Sequence, residues 1–341
     1  MIKYKNIYYM LSYAFDVLNQ KGYEEVASEE FDNIADLFSQ ILVKGMSIQI
    51  KRGLVKEYIE IEEELPTIKG KINISDSIKR MSLQKGKASC IYDELSENSY
   101  MNQIIKTTLS YLLRSDASLK SKKDIKKILI YLNNVDIIPL SQFNWKLNFN
   151  KNNQNYKMLL SICYFVIKGM IQHENDGNIK VLKFVDEQRM SRLYEKFILE
   201  FYKKERADLQ PQAKKINWAL DDDASEFLPE MKSDITLERD NKILIIDAKY
   251  YENHSMQSYF DREKLISENM YQIFTYVKNK QEEDKSKIVS GMLLYAKTDE
   301  EIYPNKTYNM SGNKISANVL DLNQDFKYIK KALLDIANLY F

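Results

Sequence analysis

Three residues in the second half of the chain have types and spacing that suit chemistry: Asp234, Asp247 and Lys249. Two neighbouring carboxylates do not both stay ionised easily without a cation. A hard divalent metal meets that need, and Mg²⁺ takes one or two carboxylates with water and phosphate oxygens for the rest. Such an ion readies a water for attack and stabilises charge developing on a phosphodiester. An ammonium beside it can orient that water or neutralise the pentavalent phosphate. This is the chemistry of a metal-dependent phosphodiesterase.

The stretch that must bring the three together runs from Met231 to Lys249. Ile235 to Leu237 and Ile243 to Ile246 are strand-like, and Asp240-Asn241 between them tolerates left-handed dihedrals and suits a tight turn. That turn sets Glu238 opposite Ile243 and Asp234 opposite Asp247. Opposed residues share a sheet face, with Cβ atoms roughly 5 Å apart. Lys249, two beyond Asp247, shares it too. The other face carries Ile235, Leu237, Leu244, Ile246 and Ala248 and is a core face. The (Asp/Glu)-x-Lys pattern recurs at Glu230-Met-Lys232, Glu283-Asp-Lys285 and Asp325-Phe-Lys327, among other places. Of these, only Asp247-Ala-Lys249 ends a β-branched run with an opposed Asp. The hairpin taken alone fits a solvated Lys–Asp pair equally well.

The chain of 341 residues has room for two domains, each with a core. Apolar residues make up 44% and glycines number only 9, which describes a folded globular protein. A net charge of +1 leaves any basic surface to local segregation. Cys90 and Cys163 are too few and too far apart for a disulfide framework, a zinc site or an iron–sulfur cluster, and they fit a reducing cytoplasm. His173 and His254 are not spaced as a metal pair. Lys3 and Lys5 before Ile7 to Phe15 lack a signal-peptide cleavage site, so a helix is expected there. The longest apolar run, Leu159 to Ile167, is too short for a bilayer, and no membrane is expected. No Gly-x-x-x-x-Gly-Lys-(Ser/Thr) loop occurs, so no nucleotide is expected on this chain.

In order, helices are expected over Ile7 to Leu18, ending at Gly22, and from Ser28 through Phe31, Ile34, Leu37, Phe38 and Ile41. Short extended pieces follow at Ser47 to Ile50, Val55 to Ile61 and Ala88 to Leu95, with a turn at Pro66 to Lys71. Asn98 to Leu113 and Asp124 to Leu132 read as helices. Lys120, Lys122, Lys123, Lys126 and Lys127 cluster at the second, as a solvated face or a contact for a phosphate backbone. The Asn-rich stretch Phe143 to Asn155 places a domain boundary at 152/153. Beyond it come a helix at Tyr156 to Ile171, a strand at Val181 to Val185, and a helix at Met190 to Lys204 with Glu195 beside its inward stripe. A strand at Ile216 to Leu220 precedes the hairpin. Tyr250 to Glu263 reads as a loop long enough to cover a site. A helix at Lys264 to Lys278 sets Gln272 and Tyr276 on one surface. Strands at Ile288 to Tyr295 and Lys314 to Leu322 and a helix at Asp325 to Tyr340 complete an α/β fold, a mixed sheet flanked by helices.

The hairpin together with Gln272-x-x-x-Tyr276 resembles the PD-(D/E)xK nuclease superfamily, and its RecB-like branch in particular. The branch's pattern falls on Glu195, Asp234, Asp247, Lys249, Gln272 and Tyr276. Ser233 stands where the motif has proline. Over nearly the full length the chain also resembles the McrC family, the nuclease subunits of McrBC methylcytosine-dependent (type IV) restriction systems. The similar segments are Asn6 to Ala14, Arg52-Gly53-Leu54, Pro66 to Ile72, Asp93 to Asn98 with Asn102 and Ile104 to Lys106, Met190 to Phe197, Asp234 to Thr236, Ile243 to Tyr251, and Asn269 to Gln272.

The resemblance implies residues 1–152 as an N-terminal α+β domain that binds and activates a GTPase, and 153–341 as a PD-(D/E)xK endonuclease domain. It implies a McrB-like AAA+ GTPase hexamer as partner and double-stranded DNA with modified cytosine as substrate. Asp234 and Asp247 are expected to ligate Mg²⁺ with Glu195 and the Ala248 carbonyl. Lys249 is expected to position water, and Gln272 and Tyr276 to brace the site. Arg52, Lys69 and Lys71 are expected to reach the partner near its nucleotide. Two other readings remain open: a stand-alone RecB-like repair nuclease, and a non-catalytic GTPase activator.

Overall fold

The computed structural model describes residues 3–15, 31, 33–151, 153–171, 187–222, 226–251, 256–259, 262–297 and 304–341. Two compact units divide the chain, one of residues 38–181 and one of residues 1–37 with 182–341. The second half's strand expected at Val181 to Val185, the Ser28 cap, Gly22, His173 and His254 lie outside the described residues.

Helix α1 (Tyr4–Phe15) opens the chain and buries Ile7, Met10, Leu11 and Ala14, the stripe its spacing predicts. Helix α2 (Ile34–Arg52) follows, its first turn capped by Asn33, whose side chain accepts from the Asp36 N–H at 2.8 Å. The strand expected at Ser47 to Ile50 is instead the last turns of this helix. Phe38, Ile41, Leu42, Met46 and Gln49 are buried at helical spacing, so one stripe runs straight through Gly45. The helix stops at Gly53, whose φ of +93° ends it in a left-handed residue.

In the unit of residues 38–181, strands β1 (Glu57–Leu65), β2 (Lys71–Ile72) and β3 (Ala88–Ser96) form an antiparallel sheet in the order β1-β3-β2. Short helix α3 (Ile74–Lys79) lies between β2 and β3. Helices α4 (Tyr100–Leu112), α5 (Leu119–Tyr131) and α6 (Tyr156–Ile171) follow, the first two capped by Ser99 and Ser118. The Asn102 side chain donates to the Val55 and Glu97 carbonyls at 2.9 and 2.8 Å, tying α4 to the sheet. The Phe38 and Phe165 rings stack at 6.2 Å, joining α2 to α6.

The other unit holds α7 (Glu187–Glu205), β4 (Lys215–Ile216), β5 (Met231–Lys232), β6 (Ile235–Arg239), β7 (Lys242–Lys249), β8 (Met256–Tyr259), β9 (Arg262–Leu265), α8 (Ser267–Glu283), β10 (Ile288–Ala296), β11 (Lys306–Met310), β12 (Asn313–Leu320) and α9 (Phe326–Tyr340). Its main sheet is mixed, in the order β11-β12-β10-β7-β6. β6 and β7 are antiparallel, β7 and β10 parallel, and α8 makes the crossover that parallel pairing requires.

Helix α1 belongs to this unit. Asn6 donates to the Leu322 and Gln324 carbonyls at 2.8 and 2.7 Å, and the Tyr9 and Phe326 rings stack at 4.2 Å. The boundary expected at 152/153 is therefore corrected. It falls within residues 38–181, because α6 packs with α2 and α4, while the N-terminal helix joins the C-terminal half.

Two further expectations change. The Ile216 to Leu220 strand is only Lys215–Ile216, because Asn217 and Ala219 give their N–H groups to Glu283 and Asn279 side chains rather than to a ladder. The Tyr250 to Glu263 loop holds β8 and the start of β9, and β9 runs on to Leu265, so the helix expected from Lys264 begins at Ser267. Among the described residues no helix is long and apolar enough to cross a membrane.

Candidate active site

The turn of the central hairpin sits where the sequence puts it. Asp240 has φ +55°, and the pairs Glu238–Ile243 and Ile235–Ile246 follow directly. Asp234, one residue before β6, thus stands opposite Asp247. β7 is an inner strand, paired with β6 on one edge and β10 on the other. Both of its faces are covered. Leu244, Ile246 and Ala248 are buried on one. Ile243 and Ile245, on the face of Asp247, join Ile273, Val277, Val289 and Leu293 in a core cluster. The expectation of a single core face is corrected here, and the reason is α8, which lies over the second one. An inner strand covered on both sides reads as a continuous apolar run. Asp247 and Lys249 break that run at its C-terminal end.

Ser233 has a role that proline could not fill. Its N–H donates to the Lys214 carbonyl at 3.0 Å, and its hydroxyl accepts from the Lys214 N–H at 3.1 Å. Proline has no N–H to give. These bonds fix the backbone that launches Asp234.

Asp234 Oδ2 accepts from the Ala248 N–H at 2.9 Å. A residue's N–H and C=O point to the same edge of an extended strand. The Ala248 carbonyl therefore also faces the edge where β6 has ended and Asp234 stands. Asp247 is 1% exposed. Its Oδ2 makes no hydrogen bond of good geometry, although the Lys249 ammonium is 2.9 Å away. Lys249 donates to Gln272 Oε1 at 2.9 Å, and Gln272 Nε2 donates to the Tyr276 hydroxyl at 2.9 Å. One line of contacts thus joins Asp247, Lys249, Gln272 and Tyr276.

The charges are under strain. Burial, and next the charges of Asp247 and Glu195, push the Asp234 carboxyl up to about 8 against the pull of the Ala248 N–H. Burial also raises Asp247, opposed by Lys249. Burial disfavours the charge on Lys249, but the Asp247 carboxylate outweighs it and raises the ammonium. Glu195 is half-buried on α7 and accepts from the Ser191 hydroxyl at 3.0 Å. Burial raises it, Ser191 and Lys249 oppose that, and the Asp247 charge adds to it.

A buried Asp247 oxygen without a well-aligned donor, beside a second carboxyl reluctant to ionise, is what a hard cation relieves. The donor set of Asp234, Asp247 and the Ala248 carbonyl fits such an ion. Among the described residues no three His, Cys, Asp or Glu side chains converge. Glu195 is close enough to act on Asp234 through its charge, yet it does not complete a three-carboxylate cluster.

Three residues outside the expected set share this region. Tyr251 OH lies 3.0 Å from Asn269 Nδ2 and 3.1 Å from its Oδ1, and Asn269 Nδ2 also donates to the Tyr295 hydroxyl at 3.2 Å. Two signals were available: Tyr251 and Asn269 stand in segments that carry the family resemblance, and Asn269 lies three residues before Gln272, on the same side of a helix.

In the unit of residues 38–181, Arg52 is exposed at the end of α2, and Lys71 is exposed in β2. The Lys69 ammonium lies 3.6 Å over the Tyr92 ring and 4.0 Å from Glu94. Gly70 has φ +68°, and a Cβ there would stand 2.4 Å from the Ile91 carbonyl oxygen. The basic turn is therefore pressed onto β3.

Residues 3–296 match the family described as McrBC 5-methylcytosine restriction system component. The chain is 31% identical, over 350 aligned positions spanning 100% of it and 98% of its relative, to the Type IV methyl-directed restriction enzyme EcoKMcrBC of Escherichia coli (strain K12). It also resembles a chain in the refined half-complex from the tetradecameric assembly of Thermococcus gammatolerans McrB AAA+ hexamers with bound McrC. That likeness has a TM-score of 0.54 at 17% identity and covers 98% of this chain and 76% of the other. It concerns the fold alone. The family match over most of the chain and the full-length identity settle the relationship: this chain belongs to the McrBC 5-methylcytosine restriction system component family.

Proposed function

We propose that the chain is the nuclease subunit of a modification-dependent restriction complex, an endodeoxyribonuclease with a PD-(D/E)xK core. It cuts double-stranded DNA carrying modified cytosine together with a McrB-like AAA+ GTPase hexamer, whose hydrolysis it stimulates. The observation that carries this reading is the Asp234 carboxyl seated on the Ala248 N–H, between Asp247 and Lys249, with the Lys249 ammonium 2.9 Å from Asp247. The names of the relatives, a methyl-directed restriction enzyme and an assembly of McrB hexamers with bound McrC, support it.

Asp234, Asp247 and the Ala248 carbonyl would hold Mg²⁺, with Glu195 acting through its charge. The bound ion supplies Lewis-acid stabilisation and a water of lowered pKa. Lys249 stays an ammonium in its contacts to Asp247 and Gln272, so it holds the attacking water and faces the charge developing on the phosphate. Gln272 fixes the Lys249 head group and is itself fixed by Tyr276. The α+β unit of residues 38–181 serves the partner. Arg52, Lys69 and Lys71 are the residues proposed to meet the GTPase, Lys69 after leaving the Tyr92 ring.

The test is a cleavage assay on methylated and unmethylated DNA, with and without the GTPase encoded as its partner, and with an Asp247→Ala control. Cutting of methylated DNA by the wild-type complex alone supports the reading. Undiminished cutting by Asp247→Ala, or equal cutting without the partner, overturns it. Arg52→Ala and Lys69→Ala variants that stimulate GTP hydrolysis like wild type would remove the proposed partner contact.

A further inference from the structure

Two lines of side-chain contacts, not one, tie the end of β7 to α8. The first is Lys249 to Gln272 to Tyr276. The second is Tyr251 to Asn269 to Tyr295. Asn269 is 5% exposed and Tyr295 is fully buried, so this second line is built into the core. Its members come from β10, from α8 and from the residues just beyond β7. Tyr295 on β10 is the direct parallel neighbour of Lys249 on β7. Tyr251 follows Lys249 by two residues, and its ring lies 6.3 Å from that of Tyr295. Asn269 occupies the first turn of α8, three residues before Gln272.

A buried amide that holds two hydroxyls at 3.0 and 3.2 Å loses bonds if either strand end slides along the helix. The line is close to the chemistry without touching the two carboxylates. Tyr251 and Tyr295 are each near enough to act on a group of the site, Lys249 and Asp247 respectively. No hydrogen bond of the second line goes to Lys249 itself. Its effect on the ammonium must pass through the backbone of β7 and the first turns of α8.

We propose that Asn269, with Tyr251 and Tyr295, is a positioning residue that sets where the Lys249 ammonium stands relative to Asp247. The inference rests on the nuclease reading given above. Misplacing a reacting group by about 1 Å can cost roughly 100-fold in rate. Loss of the amide should therefore lower the rate of cutting without lowering affinity for DNA.

The experiment uses the full chain in complex with its GTPase partner. Single-turnover cleavage, DNA affinity, GTP hydrolysis and thermal melting are measured for Asn269→Ala, Tyr251→Phe, Tyr295→Phe and the Asn269→Ala/Tyr251→Phe double variant. The expected result is a fall in cleavage rate of about 10-fold or more for Asn269→Ala, with DNA affinity and GTP hydrolysis unchanged. The double variant should be no slower than Asn269→Ala, because both changes break one line. Wild-type cleavage rates in Asn269→Ala and in both tyrosine variants overturn the proposal. So does a loss of rate that only follows a loss of melting temperature across the set. If Asn269→Ala does not fold, the two Phe variants, which keep ring volume, decide by the same criteria. Asp247→Ala separates the two claims. A dead Asp247→Ala beside fully active Asn269 and tyrosine variants sinks the positioning role alone, whereas an active Asp247→Ala sinks the nuclease reading.

Discussion

The Ala248 N–H donates to Asp234 Oδ2 at 2.9 Å, at the point where β6 has ended and β7 continues with only β10 beside it. The bond turns the open edge of an inner strand into a fixed seat for a carboxylate. It also holds Asp234 close to Asp247, where its charge is unwelcome. Three expectations concern this arrangement and the elements that support it, and a fourth concerns the other unit.

The first is a pH dependence measured with a chelator present. The Asp234 carboxyl is near 4 in an unfolded chain and is pushed up to about 8 in the fold. Below about pH 4 both states are protonated, and the contribution is fully favourable. As pH rises toward 8 the unfolded chain releases its proton first, so stability falls and then levels off. Carboxylates held low by ion pairs, such as Glu238 with Lys214 and Lys287, act below that window. The melting temperature should fall between about pH 5 and 8, less steeply in Asp234→Asn. Equal slopes for the two proteins would contradict the strained site. Added Mg²⁺ should raise the wild-type melting temperature at pH 8 and leave Asp247→Asn where it was.

Lys249→Met keeps length and removes the ammonium that faces the buried Asp247 oxygen at 2.9 Å. Cleavage should fall on the order of 100-fold or more. Stability at neutral pH should fall by about 1–3 kcal/mol in urea unfolding, because the buried Asp247 carboxylate loses the positive charge that faces it. Cleavage near the wild-type rate would remove Lys249 from the mechanism.

Gly291 lies on β10 beneath α8. An added Cβ would stand 2.7 Å from Val277 Cγ2 and 2.9 Å from Ile273 Cγ1. Gly291→Ala must displace the Val277 and Ile273 side chains, or with them the helix that carries Asn269, Gln272 and Tyr276. Overpacking of this kind costs about 1–3 kcal/mol. Cleavage should fall with it, while stimulation of the partner's GTP hydrolysis is kept. Unchanged stability together with unchanged cleavage would show that α8 tolerates the displacement.

Gly70→Ala tests the other unit. A Cβ at φ +68° would meet the Ile91 carbonyl oxygen at 2.4 Å and Tyr92 Cβ at 2.6 Å. The turn must leave β3, at a cost of roughly 1–3 kcal/mol. GTPase stimulation should drop, and Gly53→Ala, with no atom within 4 Å of its Cβ, should be the milder change. The opposite ranking would show that Gly53, not Gly70, is the constrained position.

The hairpin was legible because its register needs only a turn and an alternation. Asp240 and the β-branched run supply both, and a period of two then fixes which side chains meet. Gln272 and Tyr276 were legible as a pair four apart on a helix. The grouping of helices was not. Nothing local in Asn6 says that its amide will cap the carbonyls of Leu322 and Gln324. Ser47 to Ile50 reads as extended because Gly45 and Gly53 bracket it, yet the buried stripe from Phe38 to Gln49 outweighs those two residues. Ser233 stands where a motif carries proline, and its value is visible only once Lys214 lies opposite. Tyr295 joins the site by parallel pairing across a crossover, which no local spacing encodes.

The place of β7 between β6 and β10 also limits how the chain can change over generations. One residue inserted or deleted between Asp240 and Asp247 would reverse the side from which Asp247 and Lys249 project, leaving Asp234 behind on the other. The spacing of Asn269, Gln272 and Tyr276 on α8 is held in the same way, because three- and four-residue steps keep them on one side of the helix. A collection of such genes should therefore keep the length from Asp234 to Lys249 constant, and a sequence with a gap there has lost the face that sets Asp234 against Asp247.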